Sequence, residues 1–476
     1  LRPISETIAS QVQNRFATIV PRVVQDRMSR ITAFIPAALL LLLLLRPIHD
    51  VDIFWQVAMG QRGPLVTTEP FLATKLGQPI VPAYWLGQQV LAAIHRIGDW
   101  RLLSIVDAVI WLSGFAFAAR SIPQASVKAS GVALVIGVVT AVAFASLRPQ
   151  SFAVGLLGFM MMATAGRRVT WLIVSCGAAL FILWQNLHPS VVVAVLYFGM
   201  RSAAGGILWW RGKGTAPFLD TGLTIAATAA IFATPAGFSI LGLSSANAEM
   251  CAWLRVPEWM PLFAPENRRS DTAGVWLGLL SLAAVGILHR RRISARHLVP
   301  AIGFAILTIA SFRFAVFLGL TLVPVVAEAL HDDRDEGCRH GGLACGLMAV
   351  VACVFLFVPV TFDRSFPFQT ISELKGKTGT IFTHRPWGSL LPGITTECRA
   401  THDGRMYMFD RTEWTRYLQI VQGEVPIEKI VTEIHPQAFL LRPGVDDGLI
   451  GLLNDRPDWK AIQREASAIL FLPRIP

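Results

Sequence analysis

Charge is scarce in this sequence. Only 15% of its 476 residues are Asp, Glu, Lys or Arg, against about a quarter in a soluble protein of ordinary composition. With 53% apolar residues and a mean hydropathy of +0.53, that shortage excludes a large soluble enzyme. Metal-ligand spacing is missing as well: the six cysteines form no CxxC or related pattern. Cys176, Cys345 and Cys353 lie in apolar runs and Cys338 in a short loop. Only Cys251 and Cys398 are expected outside the cytoplasm, where a disulfide between them stays an open pairing. No tandem repeat or low-complexity tract occurs. The N-terminal segment shows no small-residue cleavage site, so it is not expected to be a signal peptide. Residues 1–30 are amphipathic and carry four arginines after Pro3, which predicts an interfacial helix on the cytoplasmic face.

What the sequence does have is apolar runs of spanning length, the mark of a polytopic membrane protein. Eleven spans are expected, near 31–48, 102–120, 130–147, 151–166, 170–185, 189–206, 217–234, 273–289, 298–312, 313–331 and 342–360. The half-apolar stretch 83–98 is expected to form a separate interfacial helix within a long external loop, 49–101. The net charge of +11 does not indicate nucleic acid, because the basic residues cluster between apolar runs. Arg120 and Lys128, Arg167 and Arg168, Arg211 and Lys213, Arg290 to Arg292 with Arg296, and Arg334 with Arg339 all follow even-numbered spans. The positive-inside rule then places the N-terminus in the cytoplasm and residues 361–476 outside. That tail alternates short apolar runs with turns and reads as a small α/β domain. The domains are therefore an N-terminal helix (1–30), a membrane bundle (31–360) and an extracytoplasmic domain (361–476).

With this topology the unusual polar motifs share the outer side: HDVD (49–52), LRPQ (147–150), QNLHPS (185–190), TPAGF (234–238), PEW (257–259) and SFRF (311–314). Polar groups at span ends are costly unless they pair or line a wet cavity. Each also has a plainer reading. Asp50 or Asp52 would cap the helix starting near Ile53, and Val51, Phe54, Trp55 and Ala58 would lie along it in the membrane interface. Arg148 and Arg313 would anchor span ends. His188 would be a satisfied polar group between helices, and Glu258 a solvated neighbour of an interfacial Trp259.

The run DVDIFWQVAMGQRGPLVTTEPFLATKLGQPIVPAYWLGQQVL resembles the first external loop of a bacterial family of membrane proteins related to the GT-C glycosyltransferases. There Asp-Pro-Asp-x-Trp-Trp-His-x-x-x-Gly leads, through Asp-Pro-Phe, to a Trp-Leu helix. LRPQSF, WQNLHPS, ATPAGF and PEW resemble later stretches in the same order, and IFTHRPWGSLLPG and HDGRMYMF resemble the tail. Val51, Phe54, Gln56 and Glu69 stand where that family has Pro, Trp, His and Asp, and Tyr407 comes one residue early.

The resemblance implies a GT-C-like bundle and a sugar donor on a polyprenyl phosphate or diphosphate. It implies a glycan, lipid or protein acceptor. In such chemistry a carboxylate, Asp52 or Asp50, takes the acceptor's proton. Arg148 and Arg313 face the departing phosphate, assisted by His188, with Gln150, Glu69 and Glu258 as further substrate contacts. A divalent ion is expected only with a diphosphate donor, held by Asp50, Asp52 and Glu69. The expected location is the bacterial cytoplasmic membrane. Two other readings stay open. One is a non-catalytic subunit of an envelope or surface-polysaccharide assembly, docking a partner at the tail. The other is a transporter, although no inverted repeat is evident and Asp107 is the lone mid-span acid.

Overall fold

The structure is a computed structural model that describes Thr32 and residues 34–165, 171–268, 270–331 and 341–474. The expected N-terminal helix over 1–30 lies outside the described residues. Among the described residues thirteen α-helices precede the tail domain: α1 Ile35–Leu44, α2 Asp52–Arg62, α3 Trp85–Arg120, α4 Val127–Ala141, α5 Gln150–Ala163, α6 Trp171–Leu187, α7 Val192–Trp210, α8 Phe218–Ala230, α9 Ser239–Trp253, α10 Ala273–Leu288, α11 Ala295–Ala310, α12 Ala315–Ala329 and α13 Gly341–Phe355. Among the described residues four helices are long and apolar enough to cross a membrane: α3, α7, α4 extended through Phe144, and α12 extended back to Phe312. Seven shorter apolar helices stand where the other expected spans fall. The chain is thus a multi-pass membrane protein.

Small residues set the helix spacing. Gly137 of α4 meets Gly319 of α12, where a Cβ on Gly137 would come 2.8 Å from the Gly319 carbonyl oxygen. A Cβ on Gly158 of α5 would overlap the Gly114 carbonyl of α3. In lipid, where no hydrophobic force drives helices together, such close backbone approach supplies the packing. Helix α12 runs through the centre, with 14 of its 15 residues buried, all but Glu328.

The stretch 83–98 and span 102–120 meet within α3 at a break, where Gly98 and Asp99 leave helical geometry (Asp99 φ 54°), so two helices lie where two were expected. One expectation is corrected here. Helix α2 does not lie with one face in the interface. Residues 53 to 60 are all buried, and Phe54 packs among Trp100, Phe362, Phe366 and Phe368. Helix α2 is therefore a core element between the bundle and the tail.

The tail forms a five-stranded sheet from β1 Gly379–Thr383, β2 Cys398–Ala400, β3 Ala438–Leu441, β4 Trp459–Glu465 and β5 Ala468–Pro473. The strand order is β2-β1-β3-β5-β4. β1 is parallel to β2 and β3, whereas β5 is antiparallel to β3 and β4. Helices Arg411–Val421, Ile427–Ile434 and Asp447–Asn454 accompany the sheet, the first opened by a capping box of Asp410 and Glu413. The segment before α3 joins the tail: Leu72 bridges Ala400 at the β2 edge, and Ile48 bridges Phe362. One buried apolar cluster runs from Ile53, Phe54 and Leu72 into Ile381, Phe382 and Phe439. The loop 49–84 and the tail therefore share a core. Cys251 and Cys398 are both buried free thiols, and the open disulfide pairing is not made.

Candidate active site

A cavity of about 580 Å³ lies between the helix ends that face the tail and the tail domain itself. Its lining includes Asp50, Asp52, Arg148, Gln150, His188, Glu258 and Arg313. Seven of the eight residues singled out in the sequence thus converge on one space.

The two acids divide the roles that the sequence left open. Asp50 is the capping group: its Oδ1 accepts the Asp52 backbone N–H at 2.9 Å, and its Oδ2 accepts from Arg148 Nε. Arg148 reaches on to Glu258, Nη1 to Oε2 at 3.1 Å. Asp52 stands in the first turn of α2 with its carboxylate turned to the tail. Its Oδ1 accepts from Trp55 Nε1 at 3.1 Å and from Ser389 Oγ at 3.0 Å. Ser389 in turn accepts the Gly404 N–H at 3.0 Å. A Cβ on Gly404 would overlap Asp52 Oδ1, so only glycine lets the tail approach this closely. Burial first, and then the charge of Asp403, push the Asp52 carboxyl up to about 6.

The cationic wall is built from span ends. Arg313 stacks over the Trp259 ring, 3.8 Å from its centroid. Burial works to raise the Glu258 carboxyl, but Arg148 and Arg313 outweigh it and hold it below its usual range. His188 hydrogen-bonds Ser190 Oγ at 2.8 Å and stands edge-on to Tyr84. Burial, then Arg313 and Arg148, drive its imidazole down to about 3. It is neutral at physiological pH, a hydrogen-bonding group rather than a cation. Gln56, where the resembled family has His, lines the same cavity, and its buried Oε1 has no partner among the described residues.

Glu69 is a correction. It does not line the cavity. It is 1% exposed, and both its oxygens accept from the Arg405 guanidinium, at 2.5 and 3.0 Å. Its Oε1 also accepts the Phe71 and Leu72 N–H groups. It fixes loop to tail and is in no position to touch a substrate. Arg405 is held on its other side by Asp403, Nε to Oδ2 at 2.8 Å, and lies over the Trp55 ring. Burial opposes its charge, but Asp403 and Glu69 outweigh burial and raise its pKa above the usual guanidinium value. As metal ligands Asp50 and Asp52 also fall short. Asp50 is engaged by Arg148, and among the described residues no three His, Cys, Asp or Glu side chains converge to hold an ion. The described residues do not by themselves make a closed metal site, and an ion here would need oxygens from a bound phosphate as well.

Sequence reasoning missed Arg385, Arg405 and Tyr407, which the tail brings to the cavity, and Ser389, which the tail brings to Asp52. IFTHRPWGSLLPG and HDGRMYMF contain them, so the motifs were visible although their place was not. They follow β1 and β2, at the carboxyl ends of the parallel strands, where ligands of α/β sheets gather.

No protein-family model and no curated protein matches the sequence. Solved structures do match. An Archaeoglobus fulgidus oligosaccharyltransferase, tethered with an acceptor peptide containing the NVT sequon, aligns over 95% of this chain and 74% of its own at TM-score 0.55 and 9% identity. The archaeal oligosaccharyltransferase AglB from the same organism, in complex with an inhibitory peptide and a dolichol-phosphate, aligns over 94% and 74% at TM-score 0.55 and 10% identity. At such identity the likeness is one of fold: the chain shares the overall architecture of these oligosaccharyltransferases.

Proposed function

We propose that this chain transfers a sugar from a polyprenyl phosphate or diphosphate donor to an acceptor on the outer face of a bacterial cytoplasmic membrane. The observation that carries the reading is Asp52: a carboxylate tuned to about 6, in a cavity it shares with Arg148, His188 and Arg313. The eleven-span topology, with the N-terminus inside and the tail outside, belongs to the same reading.

The chemistry follows from placement. A hydroxyl of the acceptor, entering from the tail side, attacks the anomeric carbon, and its proton passes to Asp52. The bond from that carbon to the phosphate oxygen breaks, and the electron pair leaves with the phosphate. Arg313 and Arg148 face the charge that develops there. Neutral His188 donates or accepts a hydrogen bond without adding charge. Asp50 holds Arg148 in place and is not the base. No step is routed through a metal.

The test is Asp52→Asn in membranes supplied with polyprenyl-linked sugars. Asn keeps the shape but cannot take a proton, so transfer should fall by ~100- to 10,000-fold, with insertion unchanged. Full activity in Asp52→Asn, in Asp50→Asn and in the double variant would overturn the reading.

A further inference from the structure

Five arginines line the cavity, and they are not equivalent. Arg148 is flanked by Asp50 and Glu258, and Arg405 by Glu69 and Asp403. Arg46 donates to the Val142 carbonyl. Arg313 and Arg385 have no carboxylate at ion-pair distance among the described residues. Each instead lies over a tryptophan: Arg313 over Trp259, and Arg385 over Trp414 at 5.7 Å from the ring centroid. Stacking holds a guanidinium's plane while leaving its fork of donors free.

The two come from opposite walls. Arg313 sits at the reversal between α11 and α12, at the membrane, where a lipid-borne phosphate must stand. Arg385 follows β1 in the tail, on the side from which water and an acceptor arrive. Its backbone is fixed, because its N–H donates to Tyr417 Oη at 2.8 Å, so the charge is presented from a rigid post. A half-buried guanidinium without a counter-ion pays for desolvation with no Coulombic return. The other tail arginine of this cavity, Arg405, has two acids for that purpose.

Resting on the transferase reading, we infer that Arg385 binds an anionic group, phosphate or carboxylate, carried by the acceptor. The acceptor is then an acidic glycan, lipid or peptide. The same oxygen chemistry is present on the second phosphate of a diphosphate donor, and the experiment separates the two sources.

The full-length protein in nanodiscs is titrated with D-glucuronate and with inorganic phosphate, with D-glucose as the neutral control. Binding is followed by saturation-transfer and ³¹P NMR, with and without farnesyl phosphate. Both anions should bind, also beside farnesyl phosphate, and glucose should not. Arg385→Gln should weaken both anions by ~10-fold or more, the scale of one charge-assisted pair, with Arg385→Lys retaining part of the affinity. Arg313→Gln should weaken farnesyl phosphate and leave glucuronate binding unchanged. An unchanged affinity in Arg385→Gln, with the melting temperature also unchanged, would overturn the proposal. So would displacement of glucuronate by farnesyl diphosphate but not by the monophosphate, which would assign Arg385 to the donor. Failure of farnesyl phosphate to bind would overturn the transferase reading by itself, and anion capture at Arg385 would still be decided by the glucuronate titration.

Discussion

Ser389 is the residue on which Asp52 depends most directly. Its hydroxyl accepts the Gly404 N–H, which leaves its proton for Asp52 Oδ1. That hydrogen bond favours the ionised carboxylate and opposes the upward push of burial and Asp403. A base at about 6 predicts that transfer declines as pH falls through 6, because the protonated acid cannot accept the hydroxyl's proton. Ser389→Ala removes a bond that lowers the pKa, so the acid limb of the rate profile should move up. For one hydrogen bond of ~1 kcal/mol, activity should drop about three-fold at pH 6 and approach about five-fold at lower pH, while activity at pH 8 holds. A uniform loss at both pH values would mean that Ser389 only holds the tail in place. The acids and arginines at span ends were legible because topology alone put them on one side. Ser389 was not, since nothing near it in the chain marks a contact 337 positions away.

Among the elements, the loop before α3 is tied to the tail by one buried cluster, Glu69–Arg405–Asp403. Arg405→Ala would leave two buried carboxylates without a counter-ion, a loss of about 3–5 kcal/mol. The expected outcome is an earlier thermal transition and faster proteolysis of residues 361–474, with the membrane helices still protected. An unchanged melting curve would show that the shared apolar core suffices. The apolar runs made the spans readable, and the break at Gly98 and Asp99 falls where composition divided the stretch 83–98 from span 102–120. One element escaped. Helix α2 carries the pattern of an interfacial helix, yet the tail covers its outer face, and no local pattern reports what a distant domain will bury. Glu69 misled for the same reason: its partner is an arginine in the tail.

For the whole molecule, the charge distribution between spans sets one orientation. A reporter active only in the cytoplasm, fused after Pro476, should be silent, whereas one fused within the Arg290–Arg292 loop should be active. Activity after Pro476 would place the cavity on the cytoplasmic side and remove the argument that joined its residues. A mostly helical membrane chain with a small C-terminal sheet domain was readable from the apolar runs and the turn-rich tail. The union of loop and tail into one body was not, because it is written in pairings such as Leu72 with Ala400 that only a finished structure displays.

The Glu69–Arg405 pair also sets an order of events during synthesis. The two residues are 336 positions apart, and at ~5–20 residues per second the loop waits roughly 20–70 s on the ribosome before its partner is made. Throughout that interval the membrane helices can assemble, but Glu69 lacks its cation, Leu72 its strand and Asp52 its serine. A chain that stops short of residue 405 keeps the Asp50–Arg148–Glu258 network of the bundle but lacks the cation that pairs with Glu69. Until residues 389 to 405 are made, Asp52 and the loop around Glu69 lack the partners that hold them in the finished structure.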